Sequence, residues 1–232
     1  MGRTIRVFGG GAAHGLVETV RPSFEAATGF TIEGSFSAVG AMRARILAGE
    51  PVDVAILTRA LIAELAHDGH VAAASATDVG TVDTAVAVRH GDALPPLDDD
   101  ARLRAVLLAA DAIHFPDPQQ ATAGIHFAKV LRDLGIWDAV ADRLRPAANG
   151  ATAMRELAAS TSRSPIGCTQ ATEILATPGI ILVGPLPEGC ALATVYTAAV
   201  GARTPAPTEA AQLVGLLTDA GGRQSRRRLG FV

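Results

Sequence analysis

The run FGGGAAHGL, Phe8 to Leu16, is built of small residues and one histidine, and it follows the strand-like stretch TIRV. The first turn of a helix offers N–H groups without intrahelical acceptors, together with the positive end of the helix dipole. Small residues there let a ligand reach the backbone, so the chemistry is anion binding. A dinucleotide fingerprint is not completed. Gly9 and Gly11 supply G-x-G, but His14 stands where the third glycine belongs, Gly15 comes one residue late, and Glu33 falls inside the second strand-like stretch rather than at its end. A phosphate loop would need Gly-Lys-Ser/Thr, which is absent. A tight turn packed on a sheet stays open beside the anion reading.

The same form recurs. SFSAVGAMRARI places Ser37, Ala38, Val39 and Gly40 before a helical pattern, and Thr58 closes the next apolar run. ATAGIHF places Thr122, Ala123, Gly124 and Ile125 at another start, NGATAM places Asn149 and Gly150, and IGCTQATEI places Gln170. With Gly11, Ala12, Ala13 and His14 these are the candidate ligand-binding residues. Ser37, Asn149 and Thr152 also suit plain N-caps. Among side chains able to move protons or meet carboxylates, His14, His126, Arg43, Arg45 and Arg59 stand near these starts, with packing or solvated roles also open. His67, His70, His90 and His114 show no metal spacing, and Cys168 and Cys190 form no CxxC, so neither a metal nor a cofactor is expected. Cys168 reads as inert core, and Asp53 as support for a strand end.

The elements that position these residues alternate strand and helix. TIRVFG, FTIEGSF and VDVAIL read as strands, each followed by a helical pattern, with Pro22 predicting a kink or break in the first helix. TVDTAVAVR is a long strand, and Asp98 to Asp100 are placed to cap the helix ARLRAVLLAA. A second α/β series follows, then the long strand LATVYTAAV and a closing helix. The expected fold class is α/β: two mostly parallel sheets flanked by helices, residues 1–82 with 198–232 as one lobe and 83–197 as an inserted lobe. Two hinge strands join them, with a ligand cleft between.

Composition narrows the classes. The chain has 232 residues, 49% of them hydrophobic, and a net charge of −3, which gives no reason to expect nucleic acid. Arg226, Arg227 and Arg228 form the one dense basic cluster, expected to be a solvated last helical turn. No apolar run suits membrane insertion and no leader-like segment opens the sequence. The expectation is a cytoplasmic monomer, periplasmic if a leader was removed.

The stretch from Val7 to Leu57 resembles the start of the periplasmic molybdate-binding proteins. It has the small-residue turn, an F…TG helix end, an F…S/G…L second site and an I-x-x-G-x-P-x-D-x-x-I run, met by Ile46, Gly49, Pro51, Asp53 and Ile56. AGIHFAKVLRDLGIWDAV, IGCTQATEI and VYTAAV continue the resemblance over nearly the whole chain. It implies the type 2 periplasmic-binding fold, a small anionic ligand and, for an exported chain, an ABC permease as partner. The family's serines correspond to about Ala12 and to Ala38 or Val39, and its tyrosine to about Gln170. The resemblance therefore implies an anion site without those hydroxyls, suited to an organic carboxylate. IGCTQATEI with AGIHF is also similar to the aconitate isomerases, which implies an alternative in which His14 is the catalytic acid/base.

Overall fold

A computed structural model describes residues 3–232. They form two compact units, residues 3–82 with 194–232 and residues 83–193, so the second junction falls at Thr194 rather than at 198.

In the first unit, β1 (Thr4–Gly10), β2 (Thr31–Ser37) and β3 (Val54–Thr58) are parallel, in the order β2-β1-β3. β9 (Ala193–Val200) adds to β3 antiparallel, from Val54 opposite Val200 to Thr58 opposite Tyr196. A 3-10 turn at Gly11–Ala13 leads from β1 into α1 (His14–Thr28), and α2 (Val39–Leu47) and α3 (Arg59–His67) follow β2 and β3. Buried Ile5, Val7, Phe24, Ile56, Ile62 and Leu65 bring these helices onto the sheet. α1 stops at Gly29, whose φ of 70° is the left-handed conformation glycine adopts without a Cβ penalty.

The expected break at Pro22 does not occur: α1 runs through it. Proline removes one helical hydrogen bond, a local loss that tertiary anchoring offsets here. Leu16, Val17 and Phe24 bury the inner face, and the Arg21 guanidinium, paired within the helix with Glu18 at 2.6 Å, donates to the Ile32 carbonyl of β2 at 2.5 Å.

Asp53 sits at the entry to β3 and is 3% exposed. Its carboxylate accepts the Arg6 N–H at 2.7 Å and the Thr204 hydroxyl at 2.5 Å. One buried carboxylate thus pins β1, β3 and the chain after β9. The unit closes with α9 (Pro207–Thr218) and α10 (Arg223–Arg228). The basic run is not all solvated. Arg226 is buried and donates to the carbonyls of Leu217 at 3.2 Å and Asp219 at 2.8 Å, where the end of α9 leaves acceptors unused. Arg227 and Arg228 remain exposed.

In the second unit, β5 (Ala112–Pro116), β6 (Leu144–Ala147) and β7 (Pro165–Gln170) are parallel, in the order β7-β5-β6. β4 (Thr77–Arg89) enters it antiparallel to β7, and β8 (Ile180–Pro185) pairs antiparallel with β4. α4 (Asp100–Ala109) begins with Asp99 as its cap, accepting the Arg102 N–H at 2.7 Å. It packs with α5 (Thr122–Asp133) and α6 (Trp137–Val140) over one sheet face, burying Val86, Phe115, Phe127, Leu131 and Cys168. α7 (Gly150–Ala158) covers the other face, with Met154 and Leu157 lying on Gly167 of β7. α8 (Ala171–Leu175) continues directly from β7. Cys168 and Cys190 are both buried and free, and burial raises both thiols, Cys190 to about 11, so neither is poised as a nucleophile.

Candidate functional site

Each unit gathers helix starts at the carboxyl ends of its parallel strands, the edge where α/β proteins bind anions. The starts divide by how the chain itself satisfies them. In the first unit, Thr58 accepts the Leu61 N–H at 3.4 Å and caps α3. The 3-10 turn at Gly11 and the start of α2 carry no side-chain cap. At α2 the first backbone bond is Met42 N–H to the Ala38 carbonyl at 3.1 Å, which leaves the N–H groups of Val39, Gly40 and Ala41 ahead of it.

The glycines ahead of α1 serve packing. A Cβ on Gly9 would stand 2.8 Å from the Phe36 ring, and one on Gly10 would stand 2.7 Å from Val39 Cγ1 and 3.0 Å from the Tyr196 ring. The packed-turn reading therefore applies to Gly9 and Gly10, while residues 11–14 form the uncapped turn. His14 has a half-exposed side chain, 3.8 Å from Glu18, and its ring lies 4.8 Å from that of Phe36. Ser37 ends β2 and is half-buried.

In the second unit, α5 has no side-chain cap. Ile125 N–H reaches the Ala121 carbonyl at 2.8 Å, so Thr122, Ala123 and Gly124 precede the first helical bond. Gly124 is set by packing, since a Cβ there would overlap the carbonyls of Pro116 and Asp117. Ile125 is 48% exposed, an apolar side chain at the rim of this start.

α7 is different. Asn149 caps it, accepting the Thr152 N–H at 2.9 Å, and Gly150 lies against the Glu173 carboxylate. Glu173 accepts the Thr169 hydroxyl at 2.6 Å and the N–H groups of Ala151 and Gln170, and burial raises its carboxyl above the usual carboxylate range. The first turn of α7 thus already holds a carboxyl group of the chain. Gln170, 2% exposed, ends β7 and precedes α8, which has no side-chain cap.

The cationic candidates are paired. Arg43 lies 3.1 Å from Glu64, Arg45 lies 2.7 Å from Glu50 and 4.1 Å above the Phe8 ring, and Arg59 makes a bidentate ion pair with Asp78. Hydrogen bonds from Arg59, then from Thr197 at 2.7 Å, hold Asp78 below its ordinary range. His126 donates to the Cys190 carbonyl at 2.7 Å and so serves the chain's own packing. His114, for which the sequence suggested no role, is buried in β5 with no partner at either ring nitrogen among the described residues. Among the described residues, no cluster of His, Cys, Asp and Glu could hold a metal ion.

Sequence reasoning missed Glu173. Its signal was the four-residue spacing from Thr169 across the helix start in CTQATE, opposite a glycine that opens another helix.

A family model described as bacterial extracellular solute-binding protein matches residues 5–232. The chain belongs to that family. Within it, the resemblance to molybdate-binding proteins holds. The chain is 25% identical over 200 residues to the molybdate-binding protein ModA of Escherichia coli K12, covering 84% of this chain and 76% of the relative. It is 26% identical over 223 residues to an aconitate isomerase of a Pseudomonas species, covering 92% of this chain and 82% of the relative. The periplasmic molybdate-binding protein of Azotobacter vinelandii superposes with a TM-score of 0.82 at 19% identity, over 98% of both chains. The fold of this solute-binding family member is therefore the α/β type 2 periplasmic-binding fold. No helix among the described residues is long and apolar enough to cross a membrane.

Proposed function

We propose that this solute-binding protein takes a small organic carboxylate, with residues 11–14 and 37–40 at the helix starts of the first unit, and residues 122–125 and Gln170 in the second, as the candidate binding residues. The observation that carries this reading is the chemistry of the uncapped starts. Those in the first unit are built from Gly11, Ala12, Ala13, Ala38, Val39 and Gly40, so Ser37, at the end of β2, is the one hydroxyl residue among them. The donors are backbone N–H groups set among small and apolar side chains, and Ile125 adds an exposed apolar surface at the start of α5. Such a lining suits a carbon skeleton carrying carboxylates.

The family's description as extracellular supports action outside the cytoplasm over the cytoplasmic expectation, with a membrane permease receiving the solute. The ligand shifts the protein toward a bound state by its differential affinity.

The relative named aconitate isomerase supports a second reading, in which the bound acid is also isomerised. That reaction moves a proton between carbons with no net change in atoms. His14, half exposed and next to Glu18, is the side chain offered for the transfer.

The test is a thermal-shift screen against molybdate, tungstate, sulfate, phosphate and a panel of di- and tricarboxylates. A specific ligand raises the melting temperature by mass action. The proposal expects shifts with carboxylates, and a response to molybdate or tungstate alone overturns it. Incubation with cis-aconitate then separates the readings. A binder leaves it unchanged, whereas an isomerase converts it and His14→Gln loses turnover while still binding.

A further inference from the structure

Thr84 is 1% exposed, and its hydroxyl meets no hydrogen-bond partner among the described residues. Its backbone is fully used: the N–H donates to the Leu192 carbonyl at 2.9 Å, and the carbonyl accepts the Leu186 N–H at 3.1 Å. Both bonds run away from β7. Toward β7, Thr84 stands opposite Gln170 as a non-hydrogen-bonded antiparallel pair, the kind whose side chains lie closest.

The face on which this pair lies follows from alternation. Thr84 is two residues from Val86 and Gln170 two from Cys168, and Val86 and Cys168 belong to the core that packs on Phe127 of α5. The end of the face is fixed as well. β5 and β7 are parallel, and α5 returns from the end of β5, so its start stands at the carboxyl end of both strands, where Gln170 lies. α5 has twelve residues and no side-chain cap. A buried hydroxyl, the Gln170 side chain and an uncapped helix start therefore share one end of one sheet face.

A hydroxyl buried without a partner gives up its hydration with nothing in return, and a methyl group in its place would avoid that. An acceptor supplied from outside the chain removes the cost. The Thr84 hydroxyl and the Gln170 amide can each donate a hydrogen bond, the first N–H groups of α5 donate, and the helix dipole favours negative charge. A carboxylate, with two oxygens and several acceptor directions, fits them.

We propose that Thr84 Oγ1, with the Gln170 side chain and the first N–H groups of α5, forms a carboxylate subsite in the second unit, and that Thr84 is its hydroxyl donor. This rests on the reading that the ligand is an organic acid.

The test compares wild type, Thr84→Val and Thr84→Ser by calorimetry with citrate, trans-aconitate, succinate, molybdate and tungstate, alongside ligand-free melting. The subsite predicts that Thr84→Val loses tenfold or more in carboxylate affinity, the scale of a hydrogen bond to a charged group. Thr84→Ser stays close to wild type, and Thr84→Val without ligand melts no lower than wild type. Should Thr84→Val not fold, Thr84→Ala against Thr84→Ser makes the same comparison. Unchanged carboxylate binding by Thr84→Val overturns the subsite alone. So does unchanged binding with a lowered ligand-free melting point, which would assign the hydroxyl to an internal water. Wild type that responds only to molybdate or tungstate overturns the organic-acid reading, and the subsite with it.

Discussion

The carboxylate of Glu173 fills the space that a side chain on Gly150 would need. One helix start thereby receives a carboxyl group from the chain itself, and the glycine that opens it is explained by that close approach rather than by backbone freedom. α7 is the start in the second unit that is both capped, by Asn149, and occupied, by Glu173.

Gly150→Ala forces this contact apart. Overpacking at a closed site costs about 1–3 kcal/mol, and urea melts should show a loss of that order. Adding Glu173→Ala to Gly150→Ala makes room, so the double variant should be more stable than the sum of the two single losses predicts. Simple additivity would show that the two residues do not meet.

Glu173 also predicts a pH dependence. Burial raises its carboxyl, so the folded state holds this proton more tightly than the unfolded state does. Its contribution to stability is therefore greatest below the ordinary glutamate value and is lost as pH rises from there through the folded value. Glu173→Gln should flatten that part of a melting-temperature profile recorded from about pH 4 to about pH 8.

His114 predicts the opposite slope. Burial, and then the charge of Arg145, lower its pKa. The folded state resists protonation, so stability falls as pH drops below the ordinary histidine value toward the folded one. His114→Leu removes the penalty, and at about pH 5 it should melt higher than wild type, with a smaller difference near pH 8.

Asp53 binds an N–H of one strand and a hydroxyl from a distant segment. Asp53→Ala leaves both part-buried donors without their charged acceptor and should cost about 2–3 kcal/mol in denaturant melts. Thr204→Val removes one of the two bonds and should cost about 1 kcal/mol.

Much of this was legible in the sequence. Strand–helix alternation, the small-residue starts, the Asp99 cap and the support role of Asp53 all follow from short-range patterns that local chemistry enforces. Other features depend on contacts between distant residues. Pro22 reads as a break because the grip of Arg21 on the Ile32 carbonyl of β2 is invisible along the chain. Gly10 reads as room for a ligand because Tyr196, which fills that room, lies far away in sequence. Arg226 reads as solvated because the carbonyls it satisfies become available only once α9 ends where it does.

The pairing of β3 with β9 has a consequence for biosynthesis. The second unit is one continuous segment, whereas the first needs residues 194–232 to complete it. During translation β3 emerges with one edge unpaired and waits for more than a hundred residues before β9 arrives. Such an edge invites pairing with other chains, so the nascent protein is most prone to aggregate after the second unit has formed and before the last strand is made.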